Sequence, residues 1–457
     1  MLYKVGYMNL LIVGAGKVGS TLVENFLNEK HDIVVVDLNA PVLSDVVNRY
    51  DVKGIVGGGL ERGVLLDAGV ESADFFIACT PRDEVNILSC VLAKKLGAKR
   101  TIARVRDPEY FKEMANMKED LGLDYFFNPE FTTAAEIAQV LKFPSSKNVE
   151  SFAGGRANMV EFYIGEGNPL VGKSLIDVAK EYNSKLLIGM VSRGDEVIIP
   201  RGDFVIKKGD SIHIIAPDSE IYAFSKKIKL FKPRAKNVFI IGGGKIAYYL
   251  SKGLIESGNN VKIVESSKER AEELAQMLPL ATVIHGDGAD HELLDEESLK
   301  NCDACVTLTG MDEENVIISL YAQSKNVGKV ITKVDRFSIM DMVKKLGLDT
   351  VVSPRTAIAN HIIRFVRAHQ ADSGSGINTL YKLHNKVEAI EFTVGEDFVG
   401  QDKELKDLQI KRNILIGGIV RGEEFITPKG NSKLIKGDKV IVVTAVKSIT
   451  QLSQILK

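Results

Sequence analysis

Short apolar runs alternate along this chain with longer stretches of helical pattern, and the whole alternation occurs twice. Asn9 to Val13, Asp32 to Val36, Phe75 to Cys79 and Arg100 to Val105 read as strands of one series. Asn237 to Ile241, Val261 to Val264, Ala304 to Leu308 and Val330 to Val334 read as strands of a second. Helical segments of about 10 to 15 residues separate them, which predicts a doubly wound parallel sheet in each series. The pattern then changes character. Phe143-Pro-Ser-Ser-Lys-Asn148 closes the first series and Ala371-Asp-Ser-Gly-Ser-Gly376 the second, and a β-rich segment follows each. There Val160-Glu-Phe162, Arg193-Gly194, Pro200, Gly202 and Lys208-Gly-Asp210 match Ile390-Glu-Phe392, Arg421-Gly422, Pro428, Gly430 and Lys436-Gly-Asp438. Gly, Pro and Gly-Asp between β-branched runs mark turns between strands.

The predicted fold class is therefore α/β: two Rossmann-like doubly wound parallel-sheet domains, each followed by a small α+β C-terminal module. A chain of 457 residues is too long for one ordinary core. The duplication sets the expected boundaries at 8–143, 149–230, 236–370 and 377–457. Lys226 to Lys236, a basic stretch with Pro233, reads as a solvated linker between the halves.

Candidate chemistry sits where the first strand of each series meets its helix. Gly14-Ala15-Gly16-Lys17-Val18-Gly19 and, 228 residues on, Gly242-Gly243-Gly244-Lys245-Ile246-Ala247 occupy the same local setting. A strand turning directly into a helix needs one glycine for the bend, a second so that the backbone can approach a pyrophosphate, and a small third residue for close packing. The helix N-terminus then faces the phosphates with free N–H groups and its positive dipole end. Each second strand ends on an acid, Asp37 or Glu265, 23 residues after the first glycine. An acid there accepts hydrogen bonds from ribose hydroxyls and repels a 2′-phosphate, so NAD or ATP fits better than NADP.

The pattern Thr-x-x-Asp-Glu-x-Asn follows the fourth strand in both halves, Thr80 to Asn86 and Thr309 to Asn315. Its polar side chains suit two roles, capping the next helix or facing a ligand at the carboxyl edge of the sheet, and the sequence leaves both open. Arg104 and Arg106 at the end of the fifth strand, with Lys333 and Arg336 as counterparts, are candidate phosphate partners; a solvated surface role is the alternative.

Charge and composition narrow the classes further. Lys plus Arg number 59 against 60 Asp plus Glu, so nothing suggests nucleic acid as a partner. With no long apolar run and no leader-like N-terminus, a soluble cytoplasmic protein is expected. Four cysteines and seven histidines show no metal-ligand spacing beyond Cys302-Asp-Ala-Cys305, which opens a strand and reads as core packing.

A nucleotide domain followed by a small module, with the pair repeated, resembles the TrkA family, regulatory subunits of the Trk potassium-uptake system. The resemblance rests on the glycine loops with Asp37 and Glu265, on Ala68-Gly-Val70 with Asp74, on the two Thr-to-Asn segments and on the paired modules. It implies a non-catalytic protein that binds NAD(H), ATP or ADP at the glycine loops and assembles through paired nucleotide domains. It implies a homo-oligomeric ring, expected to be tetrameric, peripheral on the inner face of the cell membrane beneath a TrkH-like potassium-transport subunit. It places Lys17 and Lys245 near phosphates and crosses the helices at Phe131 to Lys142 and Arg355 to His369 to a neighbour. It also brings Asp287, in Gly286-Asp287-Gly288, to the adenine or ribose edge, where the first half has Gly57-Gly58-Gly59. The rival class is an NAD-dependent oxidoreductase, which would need a proton donor or nucleophile beside the nicotinamide; the duplicated modules share no such group.

Overall fold

The computed structural model describes residues 8–369, except 184 and 349, and 377–457, except 384, 385, 447 and 448. The linker read at 371–376 lies outside the described residues.

The first parallel sheet contains β1 (Asn9–Val13), β2 (Asp32–Asp37), β3 (Lys53–Val56), β4 (Phe75–Ala78), β5 (Arg100–Arg104) and β6 (Tyr125–Phe127), in the order β3-β2-β1-β4-β5-β6. All four residues of β4 are buried, as are the last four of β1, because helices cover both faces of such a sheet. Those helices are α1 (Lys17–Asn28), α2 (Ala40–Tyr50), α3 (Arg62–Asp67), α4 (Asp83–Lys95), α5 (Pro108–Met117) and α6 (Pro129–Lys142). Asn39 caps α2 through Val42 N and Asp107 caps α5 through Glu109 N and Tyr110 N. Val13 lies level with Val36 on one side and Ala78 on the other. The carboxyl ends of β2, β1 and β4 thus share one edge at the point where strand order reverses, the usual crevice for a ligand in such sheets.

The second sheet repeats this order with Thr282–His285, Asn260–Glu265, Asn237–Ile241, Ala304–Thr307, Lys329–Lys333 and Val351–Val352. Ile241 pairs with Val264 and Thr307 as Val13 pairs with Val36 and Ala78.

The closing helices of the two series trade places. Of the described residues, one compact unit comprises 8–133 together with 353–366; the other comprises those of 134–352, 367–369 and 377–457. Phe365, from the helix Pro354–Ala368, stacks on Tyr125 at 4.3 Å between centroids and meets the edge of Phe75 at 6.2 Å. In the other unit Ala134, Ile137, Val140 and Leu141 of α6 share a core with Val238, Ile240, Leu250 and Ile263. The crossing that the resemblance implies is made within a single chain.

His361 sits on the crossing helix with its Nδ1 2.6 Å from an Arg364 guanidinium nitrogen. Arg364 has only hydrogens to give, so His361 Nδ1 is the acceptor and the imidazole is neutral. Burial, aided by that cation, holds its pKa down to about 3. The unfolded chain therefore takes up a proton near pH 6.5 that the folded chain refuses, and stability falls as pH drops from about 6.5 towards 3. Denaturant midpoints measured across that window should decline less in His361→Gln than in the parent chain; equal declines would remove His361 from the acid response.

Each parallel-sheet domain is followed by a five-stranded antiparallel sheet. The first orders Glu196–Ile198, Leu187–Arg193, Ser211–Ala216, Ala157–Tyr163 and Val149–Phe152; the second orders Ile377–Leu383, Val387–Thr393, Lys439–Thr444, Ile414–Arg421 and Glu424–Ile426. The repeated Lys-Gly-Asp has a structural purpose. Asp210 is fully buried and takes two hydrogen bonds from Arg193 at 2.8 Å plus Lys207 N; Asp438 does the same with Arg421 and Ile435 N. Such bidentate pairs fix the turn to its neighbouring strand. The helices Leu175–Tyr182 and Asp218–Lys227 flank the first sheet, whereas the second has only the 3-10 turns Leu405–Asp407 and Leu452–Ile455 among its described residues. The two modules share an apolar core through Met190, Ile215, Val420, Ile441 and Val443.

The basic stretch between the halves is less solvated than expected. Lys232 Nζ donates to Gly328 O, the Arg234 guanidinium lies over the Tyr222 ring, and Ala235 is buried.

Candidate functional site

The three places of the first glycine loop are glycine for three different reasons. Gly14 has φ +108°, and a Cβ on it would come within 3.0 Å of the Cys79 and Thr80 backbone. At Gly19 a Cβ would lie 1.8 Å from Gly14 O. Gly16 is different: its φ is −65°, ordinary for any residue, and a Cβ there would meet nothing within 4 Å. Gly244 repeats this, with φ −68° and open space around a Cβ. Both residues N-cap a twelve-residue helix and supply no side-chain cap, so the first-turn amides of each helix lack the partner that Ser, Asp or Asn would give. Neither backbone strain nor internal packing asks for glycine at these two positions. What glycine does there is leave the helix terminus open to an approaching group.

The remaining loop positions differ between the halves. Ala15 is buried with its methyl accommodated, but a Cβ on Gly243 would lie 2.5 Å from Leu274 Cδ1 and 2.8 Å from Glu265 Oε2. Ala247 is fully buried in the place of Gly19. Val18 is half-buried and Ile246 buried against the sheet side, while Lys17 is exposed and Lys245 half-buried. Neither lysine forms an ion pair with a described residue.

The acids hold the loops as well as facing the crevice. Asp37 accepts from Ala15 N at 2.6 Å and Asn39 N at 2.7 Å; Glu265 accepts from Gly243 N at 2.6 Å and Ser267 N at 2.8 Å. Each carboxylate oxygen can accept more than one hydrogen bond, which leaves capacity for ribose hydroxyls. The loop after β3 is tied to the same strand end, Gly57 N donating to Asp37 O and Gly286 N to Glu265 O. Asp287 therefore stands on the acid's side of the second crevice, exposed, with Oδ1 accepting from Ala289 N.

The Thr-to-Asn segments are struts. Asn86 Oδ1 accepts from both Thr80 N and Thr80 Oγ1 at 2.8 Å, while its amide donates to Thr80 O and Arg104 O at 3.0 Å. Asn315 links Thr309 to Lys333 O in the same way. Asp83 accepts from Arg106 N and Asp107 N, and Asp312 from Asp335 N and Arg336 N. Thr80 and Thr309 thus have internal partners, and Arg106 is paired with Glu130 and Arg336 with Glu313. Asn86 and Asn315 bind neighbouring strand ends together, and the helices that follow have no side-chain cap.

The fifth-strand cations are not equivalent. Arg104 is buried, donates Nη2 to Thr80 O at 2.5 Å, has no partner for Nε, and forms no ion pair among the described residues. Burial pushes its guanidinium below the usual arginine range. Lys333, also buried, donates to Thr309 O at 3.0 Å but has Asp335 3.6 Å away. Among the described residues Arg104 thus has no close ion pair, Glu130 and Asp83 acting on it only from farther off, whereas Lys333 has a carboxylate close by.

Two groups at these sites escaped sequence reading. Arg270 donates Nε to Gly243 O at 2.9 Å and pairs with Glu273; the first copy has Val42 in its place, so alignment of the halves does not reveal it. Glu61 turns back from the start of α3 to accept from Gly58 N at 2.9 Å. The thiols are core groups. Burial pushes Cys79 and Cys302 up to about 12 and raises Cys90 and Cys305 as well, which leaves them far from the thiolate form that reacts.

Comparison with known proteins places this geometry. The TrkA-N domain model matches residues 10–129 and 238–354, and the TrkA-C domain model matches 159–229 and 387–457. The Trk system potassium uptake protein TrkA homolog of Archaeoglobus fulgidus is 32% identical over 450 residues, covering 98% of this chain and all of the relative. The Trk system potassium uptake protein TrkA of Halomonas elongata is 32% identical over 443 residues, 95% of each chain. Among solved structures, the GsuK channel superposes with a TM-score of 0.65 at 17% identity, covering 98% of this chain and 78% of that one; the GsuK channel bound to NAD gives 0.62, with the same identity and coverage. These two share the fold. No helix among the described residues is long and apolar enough to cross a membrane. With both domain types matched twice, in the order the fold repeats them, and with relatives aligned over nearly the whole length, the chain belongs to the TrkA family of Trk system potassium uptake proteins.

Proposed function

We propose that this chain is a nucleotide-responsive regulatory subunit of a potassium-transport system, docking on the cytoplasmic face of a TrkH-like membrane subunit as part of a homo-oligomeric, tetrameric ring. NAD(H), ATP or ADP binds at the two glycine loops without being consumed. The observation that carries the reading is the pair Gly16 and Gly244, glycines that the protein's own backbone does not require, each opening an uncapped helix beside an acid. In each loop the first-turn amides take the phosphates, with Lys17 or Lys245 at the mouth, and Asp37 or Glu265 takes the ribose. The NAD carried by a structure of the same fold supports this choice of ligand.

The two sites differ in charge. Among the described residues Arg104 is a buried guanidinium without a close ion pair, Glu130 and Asp83 acting on it from a distance, an arrangement that an anion placed beside it relieves. Lys333 has Asp335 nearby and gains less. The first loop accordingly discriminates more strongly between ligands by their phosphate charge. Bound nucleotide biases the assembly by binding its conformational states unequally, and a coupling of about 1 to 3 kcal/mol per site is typical. Summed over the sites of a ring, that suffices to shift a gate substantially.

Calorimetric titration of the full chain with NAD, NADH, ATP and ADP tests the proposal. Two nucleotides per chain are expected, with larger differences among ligands at the first loop than at the second. Absence of heat with all four ligands would overturn it, and steady oxidation of NADH by simple carbonyl compounds would move the chain to the oxidoreductase class.

A further inference from the structure

The second crevice has Asp287 beyond its acid, and the first has Gly58 at the matching place, so the sequence suggests a site lacking one carboxylate. The structure refills it from three residues downstream. Glu61 is the N-cap residue of α3 but gives that helix no side-chain cap. Its Oε1 accepts from Gly58 N at 2.9 Å, and it lies 2.7 Å from where a Cβ on Gly58 would stand. An aspartate at 58 and this conformer of Glu61 would compete for the same space. The second half shows the converse. Asp290, which matches Glu61, caps its own helix through Glu292 N at 2.9 Å, and Asp287 keeps the forward position.

We propose that Glu61 is the base-reading residue of the first site, taking the exocyclic amine of an adenine; this rests on the nucleotide reading of the glycine loops. Glu61 Oε1 is engaged with the loop, and Oε2 has no partner among the described residues. A carboxylate can only accept, so the group it selects must donate, and the 6-amino group of adenine does so where the 6-oxo group of hypoxanthine cannot. Leu38 supports the assignment. It directly follows the acid Asp37, is 74% exposed, and its Cδ2 lies 3.6 Å from the Cβ position of Gly58. An exposed leucine between the ribose acid and the carboxylate offers an apolar face for a base. The second site has Ser266 there, which gives the two crevices different base surroundings.

The test uses the full chain carrying Gly244→Val, so that only the first loop binds, titrated with ATP against ITP and with NAD against its hypoxanthine analogue. The adenine ligand of whichever pair binds should be preferred by about tenfold or more, as expected for one hydrogen bond to a charged group. Adding Glu61→Ala should bring the two bases within about twofold by weakening the adenine ligand. Glu61→Asp should lose the preference as well, because the shorter carboxylate returns to cap α3 as Asp290 caps its helix. Glu61 is exposed, so both variants should fold. Equal affinity for the two bases before Glu61 is changed, or an adenine preference that survives Glu61→Ala, overturns the assignment and leaves the nucleotide reading standing. Failure of every nucleotide to bind the Gly244→Val chain, where the parent binds, overturns the nucleotide reading of the first loop and this inference with it.

Discussion

Gly16→Val is expected to abolish nucleotide binding at the first loop, by about 100-fold or more in affinity, while the protein remains folded. The expectation follows from where the space is. A Cβ at Gly16 touches nothing of the protein within 4 Å, so the substitution strains no backbone and displaces no core group. The only losses to the fold are those of exchanging a glycine N-cap for a poor one, about 1 kcal/mol. The valine methyls occupy the volume that a pyrophosphate needs next to the helix amides, and each tenfold loss corresponds to about 1.4 kcal/mol of that contact. Gly244→Val should do the same to the second loop, and the double variant should bind none. Gly19→Val is the contrasting case: with a Cβ 1.8 Å from Gly14 O, it should unfold or rearrange the first domain. Calorimetric stoichiometry beside thermal midpoints separates the outcomes, and undiminished binding in Gly16→Val would mean that no phosphate comes near that residue.

Much of this molecule is legible in its sequence because each half repeats the other. The strands at Asn9–Val13 and Asn237–Ile241, the glycine loops and the acids at Asp37 and Glu265 follow from local requirements of bend, burial and helix start, and local requirements leave local signatures. The Thr-to-Asn segments were ambiguous for a physical reason. A polar side chain at a strand end can bond a ligand or the next strand, and only the neighbour's position, here Arg104 O beside Asn86, decides. The dissimilar fifth-strand cations escaped for a related reason, since Arg104 and Lys333 match in sequence and differ in what stands beside them. The place of Glu61 was hidden because it belongs to a conformation: three glycines and a helix-start acid spell a cap, and the carboxylate instead turned back to the loop. The crossing of the closing helices has no sequence signal of its own. Amphipathic α6 would cover either sheet equally well, and family resemblance alone pointed to the exchange.

That exchange makes an unusual expectation for Ile362→Asp. Ile362 is encoded at the end of the second repeat, yet it is fully buried on the helix that packs in the unit of the first sheet. Removing a buried isoleucine side chain costs about 2 to 5 kcal/mol, and an aspartate adds the desolvation of a carboxylate with no partner. The total approaches the whole stability of an ordinary domain, about 5 to 15 kcal/mol. Amide hydrogen exchange should locate the damage: protection should collapse in β1, β4, β5 and β6, more than 200 residues away in sequence, while the strands Asn237–Ile241 and Ala304–Thr307 keep more of theirs. Ile137→Asp, on α6, should give the reverse pattern, because Ile137 shares its core with Val238 and Ile240. If each substitution instead loosened the sheet of its own repeat, the closing helices would stay with the domains that encode them.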